Sequence, residues 1–125
     1  MAKSDFSHRF HIIPRDLLRE QLLLGDRPGV PEGSLTLAAS APVTFSQDPE
    51  ISDNGTVWRQ TFGAVVDDPS VMEHSGSRAY IAFYMTDGSL RLIGTAEEAP
   101  LVTVTPHAGA QRVSITFDSP DPLIL

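Results

Sequence analysis

His8 and His11 put two imidazoles three residues apart, a spacing that would let both reach one metal from a helix face. Their stretch has little helical character and no His-Glu-x-x-His pattern. The pair therefore reads as solvated or interface histidines. The run Asp48-Pro-Glu50-Ile-Ser-Asp53-Asn54-Gly55 offers oxygens at alternating positions but lacks the spacing and bidentate glutamate of an EF-hand loop, so a plain acidic surface loop is expected over 46–55. Asp67 and Asp68 would point apart in extended chain, and the Pro69 that follows makes them a turn start rather than an acid–base pair. Ser75 and Ser77 lie near His74 without the Gly-x-Ser-x-Gly elbow that exposes a nucleophilic serine. Glycine-rich phosphate loops are absent, and with no cysteine there are no thiolate nucleophiles, thiolate metal sites or disulfides. No catalytic residue, metal site or cofactor is expected, and the chain reads as non-enzymatic.

Charge narrows the partners. The 125 residues carry a net charge of −7 with Lys3 as the only lysine, the other cations being arginines from Arg9 to Arg112. Nucleic acid is excluded as a partner on that balance, because backbone binding needs many clustered cations. Anionic membrane surfaces are excluded for the same reason. No apolar run approaches the roughly 18 residues of a bilayer-crossing helix. The first ten residues lack the apolar core of a signal peptide, so a cytoplasmic or virion-assembled protein is expected rather than one secreted by a signal peptide.

The elements that would carry these residues are mostly strands. Arg78–Thr95 reads as a β-hairpin turning at Asp87-Gly88 as a two-residue type I′ turn, with Met85 opposite Leu90, Phe83 opposite Leu92 and Tyr84 opposite Arg91. That register gathers Ile81, Phe83, Met85, Leu90 and Leu92 on an apolar face, which Val102, Val104, Val113, Ile115 and Phe117 are placed to meet. Thr56–Val66 forms a long strand with Trp58, Gln60, Phe62, Ala64 and Val66 on one face, and Gly63 marks a bulge or a close approach of backbone. Leu35/Leu37, Val43–Phe45, Leu101–Thr105 and Arg112–Phe117 add further strands. Arg15–Leu24 is expected as one short helix stopped by Gly25, although Leu18, Leu22 and Leu24 also alternate tolerably as a strand. The fold class is mainly β, an antiparallel β-sandwich or small barrel. Residues 1–33 form an N-terminal arm or first strand, short helix and connector, 34–118 the β-domain, and 119–125 an extended tail.

The run Tyr80-Ile-Ala-Phe-Tyr-Met-Thr-Asp-Gly-Ser-Leu-Arg-Leu-Ile-Gly-Thr95, followed by Pro100 and Leu101-Val-Thr-Val-Thr105, resembles the C-terminal half of small β-rich phage and prophage structural proteins of the head–tail joining and tail-assembly kind. The resemblance implies a virion component repeated around a ring, with no enzymatic residues to transfer. The termini are the expected contacts with neighbouring copies or other structural proteins. Phe6 and Phe10 at one end and Leu123, Ile124 and Leu125 at the other are apolar groups placed to add to a neighbour's sheet edge. Tyr84 and Arg91 are either a cation–π contact patch or a plain cross-strand pair. The alternative function is a carbohydrate- or peptide-binding module with Trp58, Tyr80 and Tyr84 as its aromatic platform.

Overall fold

Among the described residues, alternating apolar residues bounded by Gly, Pro and Asp turns give eight strands packed as two antiparallel four-stranded sheets. The computed structural model describes residues 6–18, 30, 33–95 and 97–123. One sheet has the order β2(Leu35–Ala38), β1(Phe6–Pro14), β5(Ala79–Met85), β6(Leu90–Ile93). The other runs β3(Thr44–Ser52), β4(Gly55–Val66), β8(Ala110–Ser119), β7(Thr103–His107). The chain lays down antiparallel pairs alternately: β1–β2 in the first sheet, β3–β4 in the second, then β5–β6 and β7–β8. A 3₁₀ turn, Pro69–His74, makes the middle crossing. Asp68 caps it by accepting from the Ser70 N–H at 2.9 Å and the Ser70 hydroxyl at 2.7 Å. This is a sandwich, as expected.

The inner faces meet as one core. Ile81 and Phe83 pack with Val102, Val104, Val113, Ile115 and Phe117, as their alternation required. Phe83 sits at the centre, with ring centroids 5.7 Å from Phe6, 5.1 Å from Phe45 and 5.7 Å from Phe62. Phe10 and Phe62 meet across the sheets with tilted rings, centroids 5.4 Å apart. The first sheet also buries its outer face, where Ile13, Tyr80 and Ala82 pack with Leu18 and Ala99, flanked by Val30, Leu90 and Leu92. Residues 15–18 are helical and deliver Leu18 to that face; the rest of the expected helix, 19–24, lies outside the described residues.

Three expectations give way to different geometry. The β5–β6 pairing is Ile81↔Ile93, Ala82↔Leu92, Phe83↔Arg91 and Tyr84↔Leu90, one residue off the expected register. The cause is the loop. Met85 N–H donates to Ser89 O at 2.9 Å and Gly88 N–H to Met85 O at 3.0 Å, so Thr86, Asp87 and Gly88 form a three-residue connection. Gly88 alone among them takes positive φ, at 90°. A one-residue slip exchanges faces: Ile93 enters the main core, and Leu90 and Leu92 pass to the outer face.

The stretch 46–52 is strand, not loop, and pairs with β4 as far as Ser52↔Gly55. The expected strand at Leu101 begins at Thr103, with Leu101 held by a single bridge to Arg78. The type I′ signature appears instead in the last hairpin, where Ala108 and Gly109 have φ of 48° and 84° between the paired His107 and Ala110. Of the two readings of the N-terminal stretch, arm or first strand, residues 6–14 take the second: β1 is an inner strand of the sandwich. A bulge hides it in the sequence. Ser7, His8 and Arg9 together oppose Tyr84, which breaks the period of two while letting both Phe6 and Phe10 reach the core.

Candidate functional site

The expected chemistry-bearing residues are mostly spent on structure. Ser77 donates its hydroxyl to the His74 carbonyl, and Ser75 donates to Val104 O at 3.3 Å while accepting from Val104 N–H at 3.1 Å. His8 and His11 lie on strand β1, where a three-residue offset does not converge on one ligand. His8 Nδ1 lies 3.2 Å from Ala39 O. Among the described residues no group of three or more His, Cys, Asp or Glu side chains is placed to hold a metal ion.

His11 has a more constrained environment. Phe10 and Ile12 face the core, so His11 projects to the outer face of the same sheet, only 6% exposed. Its Nδ1 lies 2.9 Å from Thr36 Oγ1 and its Nε2 2.7 Å from the Tyr84 hydroxyl. A neutral imidazole has one donor and one acceptor nitrogen, and both hydroxyls can reverse to suit it, so the chain Thr36–His11–Tyr84 is satisfied with no charge. Burial, with the Arg9 cation adding to it, pushes the His11 pKa below its ordinary value. The Arg9 guanidinium stacks over the Tyr84 ring, 4.9 Å from its centroid. Tyr84 thus has its cation–π partner, but it is Arg9 across the bulge. Arg91 lies opposite Phe83 and donates to Leu90 O at 3.1 Å.

Beside this cluster opens a groove of about 640 Å³ between the β1 bulge, the β2–β3 connection and the β5–β6 turn. Phe6, Ala38, Pro42 and Met85 give it apolar walls, with His8 and Arg9 supplying its polar side. The acidic residue nearest the turn, Asp87, is committed to its own loop, accepting from Ser89 N–H at 2.8 Å and the Ser89 hydroxyl at 2.6 Å.

A second unusual feature stands at the far end of β3. β4 pairs with β8 only from Trp58 onward, so Glu50↔Val57, Ile51↔Thr56 and Ser52↔Gly55 pair only with each other. Those rungs carry a two-stranded tip about 10 Å beyond the sheet. Ile51 on it is 82% exposed and Val57 39%. Arg59 braces the base, 2.9 Å from Glu50 and 3.1 Å from Asp118.

The other expected contact residues divide. Phe10 is fully buried in the core, and Phe6 is half-buried against Phe45 and Phe83. Leu123 packs on the core and is clasped by Gln47, whose Nε2 donates to Leu123 O at 2.7 Å while its Oε1 accepts from Leu123 N–H at 3.0 Å. Ile124 and Leu125 lie outside the described residues. The aromatic platform does not form. Tyr80 is fully buried, its hydroxyl donating to Thr95 O at 2.8 Å, and Trp58 belongs to the opposite sheet from Tyr84. Arg9 and Ile51 were missed as candidates, and His11 was weighed only as a metal ligand or as a solvated or interface histidine, not as a buried one. The Phe10/Ile12 alternation already places His11 on the outer face, whereas the bulge that brings Arg9 to Tyr84 leaves no local signal. Comparison with family models, with curated proteins and with solved structures finds no match for this chain.

Proposed function

We propose that this chain is a non-enzymatic structural subunit that works by packing against neighbouring copies, as a virion component of the head–tail or tail-assembly kind. The observation that carries the reading is the β3–β4 tip. An isolated two-stranded hairpin is marginal in water, and this one ends in an isoleucine that is 82% exposed. Exposed single apolar residues are ordinary, but one held on a paired, braced projection is a contact element in search of a surface. The resemblance of Tyr80–Thr105 to phage structural proteins supports the particle context.

Sedimentation velocity over rising concentration tests the reading. The chain, 13.5 kDa as a monomer, should form larger species, and Ile51→Asp should weaken that association about tenfold or more while leaving the thermal transition in place. A monomer at every concentration, or association indifferent to Ile51, would overturn it.

A further inference from the structure

We infer that the groove at Arg9 and Tyr84 is the receptor for the β3–β4 tip of another copy of this chain, so that copies join head to tail. The inference rests on the assembly reading above and adds to it the identity and polarity of the contact.

Three observations support this pairing. The tip and groove have complementary character: Ile51 is flanked by Asp48 and Asp53, and the groove joins apolar walls from Phe6, Pro42 and Met85 to Arg9 and His8. Their charges are available to one another. Among the described residues Arg9 has no ion pair and is held only against the Tyr84 ring, while the tip's cation, Arg59, is already engaged with Glu50 and Asp118. The third is distance. Pro42, in the groove wall, lies two residues before the start of β3, and the tip lies at the other end of that nine-residue strand. That is about 27 Å along an extended strand, so no tip can reach the groove of its own subunit.

Joined head to tail, rather than reciprocally about a two-fold axis, such different patches make a heterologous contact, which closes into a ring or runs on as a filament. With each copy at net charge −7, association needs such a local match to offset the general repulsion. Tyr84 then has a stated role. Fixed by His11 and stacked under Arg9, it holds the guanidinium over the groove before a partner arrives, which reduces the ordering lost on docking.

The chain has no cysteine, so introduced thiols report the contact directly. Ile51→Cys protein mixed with Ala38→Cys protein should oxidise to a disulfide-linked heterodimer, roughly tenfold or more enriched over Ile51→Cys mixed with Glu97→Cys, because docking raises the local concentration of the thiols. Arg9→Glu placed in the Ala38→Cys chain should abolish that enrichment. Equal yields for both mixtures, or yields unchanged by Arg9→Glu, would overturn the inference. So would Ile51→Cys self-linking above either mixture, which would mean a symmetric tip-to-tip contact. Sedimentation of the unmodified chain separates the two failures: larger species without the expected cross-link sink this contact alone, whereas a persistent monomer sinks the assembly reading with it.

Discussion

His11 couples proton binding to folding. In the unfolded chain it titrates near the ordinary value of about 6.5, and in the sandwich burial and Arg9 hold its pKa lower. The unfolded state therefore binds more protons than the native state as pH falls below 6.5, and stability falls with it. Its contribution is complete above the unfolded pKa and is lost through the window between that value and the folded one. Urea unfolding between pH 7.5 and 5 should show the decline, and His11→Phe should flatten that portion of the curve while losing the bonds to Thr36 and Tyr84. In Arg9→Gln, an NMR titration of the His11 ring should move upward, because a like charge has gone. An unchanged titration would mean that the guanidinium is not close enough to act. The same geometry explains how little of this cluster was legible beforehand. Tyr84 was recognisable as a contact aromatic, but both of its partners arrive from a strand about seventy residues away through a bulge, and a bulge has no period to read.

The two hairpin turns show how far local turn chemistry can be trusted to position an element. Asp-Gly is strongly favoured for a type I′ turn, yet at Asp87-Gly88 the carboxylate instead accepts from Ser89 N–H and Oγ, and only Gly88 takes positive φ. The slip that follows exchanged the faces of Leu90 and Leu92 with those of Arg91 and Ile93, while leaving β5, whose alternation was independent of the turn, as expected. The last hairpin is the reverse case. Ala108 is an unremarkable residue in sequence, but it sits at φ 48° in a two-residue turn. Left-handed backbone costs an alanine roughly 1 kcal/mol, and asparagine tolerates it better. Ala108→Asn should therefore raise the unfolding free energy by about 0.5 to 1 kcal/mol, measured as a higher urea midpoint at unchanged slope. A lower midpoint would show that Ala108 is not held in that conformation.

Across the whole molecule, the sheet edges decide how copies can meet. Among the described residues four strands lie at sheet edges: β2 and β6 are only four residues long, and the other two carry proline, Pro49 in β3 and Pro106 in β7. Short or proline-bearing edges discourage strand addition, which favours side-chain docking over the sheet extension that the apolar termini had suggested. The sandwich itself was legible because most strands alternate cleanly, from Trp58 to Val66 and from Arg112 to Phe117. The fate of the C-terminal segment was not, because what fixes it is a glutamine pair far away in sequence. Gln60 is 2% exposed and its Nε2 donates to Gln47 Oε1 at 3.4 Å, and Gln47 in turn binds both backbone groups of Leu123. Ending the chain after Pro122 removes those two backbone partners and part of an apolar contact, and leaves a half-buried amide short of bonds. The expected loss is about 2 to 3 kcal/mol, read by chemical denaturation. Gln47→Ala should cost a similar amount, and combining the two should cost little more than either alone, because they remove the same interaction. If truncation left stability unchanged and altered only association, the segment would be a reaching arm after all. If it lowers stability and association still depends on Ile51, the segment is a clasp and the contact lies at the β3–β4 tip.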